Sequence, residues 1–412
     1  MAIKLTSIPT LVEAPFILVK IGGITFGSYM KSGGSGYGSA VKVTYPNFME
    51  SLSVVKVNGT VNTYTLNFSY QVRPGEDPNL LDKIFSKAAN NRKITFQYGD
   101  WNAPSFIYKE EEAIITKVTT SLDMNSASLK YTVTCTSDAL GLSSITHTFP
   151  ARTAKPSDVL LEMLTSAKYG LSKIFKGMTD KATILANNLI PFNDKEVKLT
   201  AQAGVSVLNY MSYLVDCMIN QNSSSSGLPS SKYFLTIHDD YTSNLGGTYF
   251  KVHEVSPNTS AKTQTDVYEI DINYPGDNFV TQFSLSNDQS WAILYEFNEE
   301  VNMETYSYTF TEDGQLATNY SPSLMRSSYT GEVSPAKATW WTQMTEFPVQ
   351  GTLTIKGLMR PAILMTHVKL NVLFNGGMKH SSSGLYVITR QEDTIDASGY
   401  KTTLNLLRIG GD

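Results

Sequence analysis

Ile115-Thr116-Lys117-Val118-Thr119-Thr120-Ser121-Leu122-Asp123 and Ile388-Thr389-Arg390-Gln391-Glu392-Asp393-Thr394-Ile395-Asp396 are two stretches of one chain that read alike. Ile, Thr and Asp recur in place, Lys answers Arg, Ser answers Thr, and Leu answers Ile. Continued without a gap, the same spacing sets Tyr131 and Val133 on Leu404 and Leu406, so the next strand keeps its inward phase. Each stretch follows an apolar strand ending in a glycine turn, Phe96-Gln97-Tyr98-Gly99-Asp100 and Leu373-Phe374-Asn375-Gly376-Gly377. Hairpins of ordinary β composition share period and turn chemistry, so coincidence is one reading. The other is two copies of one β module. Two copies are too few for a solenoid, which needs about three, but they suit a pseudo-symmetric ring in which each subunit fills two equivalent positions.

The surroundings are strand-rich. Tyr64, Leu66, Phe68, Tyr70 and Val72 alternate with Thr65, Asn67, Ser69 and Gln71, a half-buried strand reached from Leu52, Val54 and Val57 through the hairpin dipeptide Asn58-Gly59. Further strands are expected at 94–98, from Phe106 to Thr120, and at 129–135. Asp77 and Pro78 open a helix with the stripe Leu80, Leu81, Ile84, Phe85 and Ala88, ended by Asn90-Asn91. Residues 1–150 therefore read as a sheet with one inserted helix. Residues 151–231 read as a helical segment, with helices from Pro156 and from Ser206, closing in the Ser-rich linker of 222–227. Residues 232–345 read as a β-rich middle domain, and 346–412 as strands of the second copy.

Composition bounds the function. Charged residues are 17 % of the 412, below the roughly 25 % that is typical, and hydrophobic ones 41 %, which excludes a charge-solvated disordered chain. The net charge of −4 gives no footprint for wrapping nucleic acid. Two cysteines, Cys135 and Cys217, make neither a disulfide framework nor a four-ligand zinc site and read as reduced, buried thiols of a chain folded in a reducing cytoplasm. The start, Met1-Ala2-Ile3-Lys4-Leu5-Thr6, lacks the pattern of a secretory leader, and the apolar stretch 357–374 is broken by Arg360, Pro361, His367 and Lys369, so no membrane anchor is expected.

No catalytic, cofactor-binding or metal-binding set is expected either. The five histidines, at 147, 238, 253, 367 and 380, fall in no HExxH pattern, and neither GxSxG nor a Walker loop occurs. His238-Asp239-Asp240 reads as a solvated turn, since neighbours on a strand point to opposite faces. Glu110-Glu111-Glu112 reads as edge-strand charge. The glycine run 33–38 precedes strand-like residues rather than a helix and reads as a hairpin loop, not a phosphate cradle. Trp101, Trp340 and Trp341 lie beside turns and are candidate inter-subunit contacts.

The stretch from Ser382 to Asp396, followed by Gly399 to Leu406, resembles the end of baseplate hub proteins of tailed bacteriophages, and Gly351-Thr352-Leu353-Thr354-Ile355-Lys356-Gly357-Leu358 fits the same pattern. The amino-terminal sheet with its inserted helix looks like a tail-tube module. The resemblance covers the two ends of the chain well and 232–345 poorly. It implies a mainly β chain with a minor α component, holding two tail-tube-like antiparallel β-barrel modules. It further implies a structural, non-enzymatic homotrimer whose six modules bridge the sixfold tail tube protein and the threefold central spike protein. The tape-measure protein reaches the lumen of such hubs, other baseplate proteins join them, and DNA passes through during ejection without specific binding. The implied location is the virion tail baseplate, after synthesis in the host cytoplasm. Competing readings are a tail-tip glycan or receptor-binding protein, a cell-wall hydrolase, and the hub of a contractile injection particle.

Overall fold

The computed structural model describes residues 3–4, 15–28, 45–46, 48–85, 93–100, 111–123, 128–221, 231–239, 244–257, 267–273, 280–287, 347–357, 364–375 and 377–411. The chain is mainly β. A mostly antiparallel sheet of 16 described strands runs through both ends of the sequence. Its strands form where every second residue is apolar: Tyr64, Leu66, Phe68 and Tyr70 are buried along Thr63–Gln71, and the residues between them are not. Gly59, at φ 69°, lets Met49–Val57 turn back toward that strand, a left-handed angle that glycine adopts without strain.

Two sets of strands within the sheet follow one plan. In chain order the first is Met49–Val57, Thr63–Gln71, Lys93–Asp100, Glu111–Asp123 and Ser128–Thr136. The second is Val280–Asn287, Val349–Lys356, His367–Phe374, Gly384–Asp396 and Gly399–Gly410. Members of each set pair in the same spatial order, beginning with the first strand on the second and ending with the third on the fourth.

The bulges match as well. Ile115 pairs with Cys135 and Lys117 with Thr134, leaving Thr116 as the extra residue; Ile388 pairs with Leu406 and Arg390 with Asn405, leaving Thr389. Thr116 Oγ1 donates to the Thr134 carbonyl at 3.1 Å, and Thr389 Oγ1 to the Asn405 carbonyl at 3.3 Å. A second bulge leaves out Glu50 in one set and Thr281 in the other. Bulges are specific local features, and two shared pairs of them make the likeness one of construction rather than of β composition.

One alignment needs correction. Asp123 pairs with Ser128, but Asp396 pairs with Gly399, so the second hairpin turn is shorter by two residues. Tyr131 therefore stands with Thr402, Val133 with Leu404 and Cys135 with Leu406, not Tyr131 with Leu404 and Val133 with Leu406. An even shift preserves the inward phase, which hid it from the alternation pattern. The two sets pack separate cores, one around Leu66, Phe68, Val133, Ile94 and Phe96, the other around Leu353, Ile355, Leu404, Val368 and Leu370.

The plan ends one strand further out. Pro15–Ile21 runs antiparallel to Lys93–Asp100, whereas Val267–Asn273 runs parallel to His367–Phe374. Helix Leu80–Phe85 buries Leu81, Ile84 and Phe85 in the first core, and the continuation expected through Ala88 to Asn91 lies outside the described residues. Of the strand expected from Phe106 to Thr120, residues 106–110 lie outside the described residues, and the rest belongs to strand Glu111–Asp123.

Between the sets lies a helical unit. Pro156 opens helix Pro156–Thr165, which buries Val159, Leu160, Met163 and Leu164. Ser206 caps Val207–Asp216, its Oγ accepting from the Asn209 N–H at 3.2 Å. Both helices share one core with Tyr233, Leu235 and Phe250 of the hairpin formed by Lys232–His238 and Tyr249–Val255. The described strands of 232–345 thus divide, with that hairpin on the helices and Val267–Asn273 and Val280–Asn287 in the large sheet. The runs 33–38 and 222–227 lie outside the described residues.

Candidate assembly interface

The two sets meet edge to edge. Strand Gly384–Asp396 gives one edge to Gly399–Gly410 and divides the other: residues 384–387 pair with His367–Phe374, and residues 390–395 with Met49–Val57 of the first set. The latter register runs from Arg390 opposite Val57 to Ile395 opposite Leu52. The hairpin tip then enters the core of the first set, where Ile395 and Tyr400 are buried and the Tyr400 ring meets Tyr98 edge-on at 6.3 Å. Gly357 leaves room for this: a Cβ there would lie 2.3 Å from the Tyr400 ring, and the Gly357 N–H donates to the Tyr400 carbonyl at 2.8 Å.

Polar groups are sealed into the joint. Asp393 is 1 % exposed and accepts from Gln391 Nε2 at 2.5 Å, Thr402 Oγ1 at 2.5 Å and Tyr400 Oη at 3.2 Å. Burial pushes its carboxyl up to about 7, against the pull of these donors and of Lys56. Lys56, also buried, pairs with Glu111, and the Tyr64 hydroxyl lies 2.7 Å from Glu111 Oε2 and 3.2 Å from Asp239 Oδ2. Asp239 also accepts from Asn62 at 2.7 Å and Ser137 at 2.5 Å, and burial raises it to about 6. The contacts among Lys56, Glu111, Tyr64 and Asp239 join the helical unit to the first β set, and the charge of Lys56 acts on Asp393 of the second. Buried charges survive only when paired and bonded, which each of these carboxylates is.

Several expectations change here. Glu111 is no edge charge but the buried partner of Lys56, while Glu112 pairs with Lys93 nearer the surface; Glu110 lies outside the described residues. His238 and Asp239 are no solvated turn: both are buried, His238 stacked on Tyr249 at 4.8 Å. Glu111 and Asp239 find Lys56, Asn62 and Ser137 far away in sequence, so the local string gave no hint of them. Trp101, Trp340 and Trp341 lie outside the described residues. Lys56 and Asp393 were missed, although each falls in an inward phase, Lys56 after Leu52 and Val54 and Asp393 between Gln391 and Ile395. Charges of opposite sign in two inward phases are a readable signal of paired strands.

Among the described residues no cluster of metal-ligating side chains occurs, and no helix is long and apolar enough to cross a membrane. Cys135 and Cys217 are both buried, and no disulfide joins them. A cleft of about 530 Å³ at the joint is lined by Val57, Phe234, Leu285, Gly351, Arg390 and Leu407 among others, and Arg390 is the one ionisable group among the described residues that line it.

No family model matches the chain, and no curated protein matches it. Among solved structures it is similar to a component of the E. coli type VI secretion system, itself described as similar to tail proteins of bacteriophage T4, with 10 % identity, 96 % of this chain and 78 % of that one covered, and a TM-score of 0.44. It is similar to a tail protein of Neisseria meningitidis at 8 % identity, with 96 % and 97 % covered and a TM-score of 0.47. It is also similar to the tail protein of prophage MuSo2 of Shewanella oneidensis at 10 % identity, with 96 % and 99 % covered and a TM-score of 0.44.

Proposed function

We propose that this chain is a structural protein of a phage-type tail: a baseplate hub in which three copies form a ring of six similar modules. The observation that carries this reading is the repeated plan, with strands in one order and bulges at the same places, joined edge to edge within one chain. A chain holding two equivalent units, closed by a threefold operator, presents a near-sixfold surface on one side and a threefold one on the other. That is what an adaptor between a sixfold tail tube protein and a threefold central spike requires. Tape-measure and other baseplate proteins are the further partners, and DNA crosses the enclosed channel without specific binding. Trp101, Trp340 and Trp341 are assigned to contacts between subunits. The role is mechanical, with no bond made or broken, and its place is the tail of the virion.

Rings of this kind bury interfaces that typically exceed about 2,000 Å² in total, so the chains are expected to be associated at micromolar concentration and to separate only on further dilution. Mass photometry of the purified chain at micromolar concentration is expected to show a three-chain particle. A stable monomer at that concentration overturns the proposal.

A further inference from the structure

The joint inside one chain has one half missing on each side of it. Residue for residue, Glu111–Asp123 corresponds to Gly384–Asp396, and 49–56 to 280–287, as the shared bulges fix. Yet residues 390–395 pair with Met49–Val57, whereas their counterparts 117–122 pair on that side with no strand among the described residues. The outer edge of residues 282–287, the counterpart of the edge that Met49–Val57 offers, is likewise unpaired among them. We propose that residues 118–122 pair antiparallel with 283–287 of a second copy of this chain, in the register used within one chain. Gln391 opposite Lys56 through Ile395 opposite Leu52 then translates into Val118 opposite Asn287, Thr120 opposite Leu285 and Leu122 opposite Phe283.

Two observations support a partner of this kind. Leu122 is 57 % exposed, while its counterpart Ile395 is fully buried in the neighbouring core; Phe283 and Leu285 stay partly exposed where Leu52 and Val54 are buried. Further, the facing runs Val118-Thr119-Thr120-Ser121-Leu122 and Phe283-Ser284-Leu285-Ser286-Asn287 contain no charge and no proline, and Lys117, which adjoins the first, stands where Arg390 stands in the pairing formed within one chain. Edges that must stay single are commonly blocked by such residues, above all Lys and Pro, and within these five-residue runs there is none. The contact is head to tail, so it propagates from copy to copy until the rotation closes a ring.

This inference rests on the ring reading but is narrower than it. Residues directly opposite in an antiparallel pair have Cα atoms about 4.5–5.5 Å apart, within reach of a disulfide. The full chain carrying Leu122→Cys and Phe283→Cys is expected to cross-link between copies on mild oxidation, shown as linked multimers on a denaturing gel. A chain carrying Leu122→Cys with Asn287→Cys is expected to link poorly. Cross-linking at the slipped pair, or none at either, in a sample that is still a three-chain particle overturns this register and leaves the ring standing. A monomeric unmodified chain overturns both. Because Leu122 is exposed in the single chain, Leu122→Asp is expected to unfold as the unmodified chain does at a dilution where both are single, while associating at least ~10-fold more weakly. Unchanged association of that variant also overturns the proposal.

Discussion

Ile395 and Leu122 hold the same place in two hairpins of one design, yet the first is fully buried and the second is 57 % exposed. The hairpin of Gly384–Asp396 finds Met49–Val57 beside it and sends its tip into the first core; that of Glu111–Asp123 finds no such neighbour among the described residues. Local sequence is not what separates them, since both positions are branched aliphatics in the same phase. The neighbour decides. An edge that looks unfinished in one copy is shown finished in the other, so the chain carries within itself a template of its own contact.

The largest expected effect breaks this comparison directly. Ile395→Ala removes a buried side chain at the joint and is expected to cost about 2–5 kcal/mol in denaturant unfolding. Leu122→Ala, measured at a dilution where single chains prevail, is expected to stay within about 0.5 kcal/mol of the unmodified chain. Equal losses at the two positions would mean that Leu122 already has a buried partner in the single chain, and the two hairpins would no longer differ.

Much of the plan was legible because it lives in local alternation. Tyr64 to Tyr70, the stripe of Leu81, Ile84 and Phe85, and the cap at Ser206 needed only period and turn chemistry. The paired stretches at Ile115 and Ile388 showed the duplication, and the bulged Thr116 and Thr389 both stand inside them. What escaped has a physical reason in each case. The turn shorter by two residues left the phase intact. The strand Val267–Asn273 pairs in parallel with His367–Phe374, and direction leaves no mark on a two-residue period. Glu111 read as edge charge and Asp239 as part of a solvated turn, and Asp393 went unremarked, because burial depends on Lys56, Asn62 and Thr402, groups set beside them only by the fold.

Asp393 sharpens the comparison further, because its counterpart in the first hairpin is Thr120, which does not titrate. The folded carboxyl is raised to about 7, while an unfolded aspartate gives up its proton near pH 3.9. Between those values the folded state binds more protons than the unfolded one, so stability falls as pH rises from about 4 to about 7 and levels off above. Asp239, raised to about 6, adds a slope of the same sign over a shorter range. Asp393→Asn keeps an oxygen for Thr402 and Tyr400 but cannot titrate. Its unfolding free energy, followed from pH 4 to 8, is expected to fall by a few kcal/mol less than that of the unmodified chain. A parallel pair of profiles would show that the joint holds no proton there.

The smallest effect tests the shared design itself. Thr389→Val and Thr116→Val each delete one hydroxyl that closes a bulge on the facing carbonyl, at Asn405 and Thr134 respectively. A bond of this kind contributes about 0.5–1.5 kcal/mol, and the half-buried Thr389 is expected near 1 kcal/mol, with the exposed Thr116 lower because water replaces what it loses. The ratio carries the meaning. If the 118–122 edge is covered when copies assemble, nearby Thr116 also leaves water, and its cost should rise toward that of Thr389 as concentration brings the chains together. Thermal melts of both variants over a concentration series therefore read the two hairpins against each other. A gap that stays fixed while the particles assemble would mean that the second hairpin is no guide to the first.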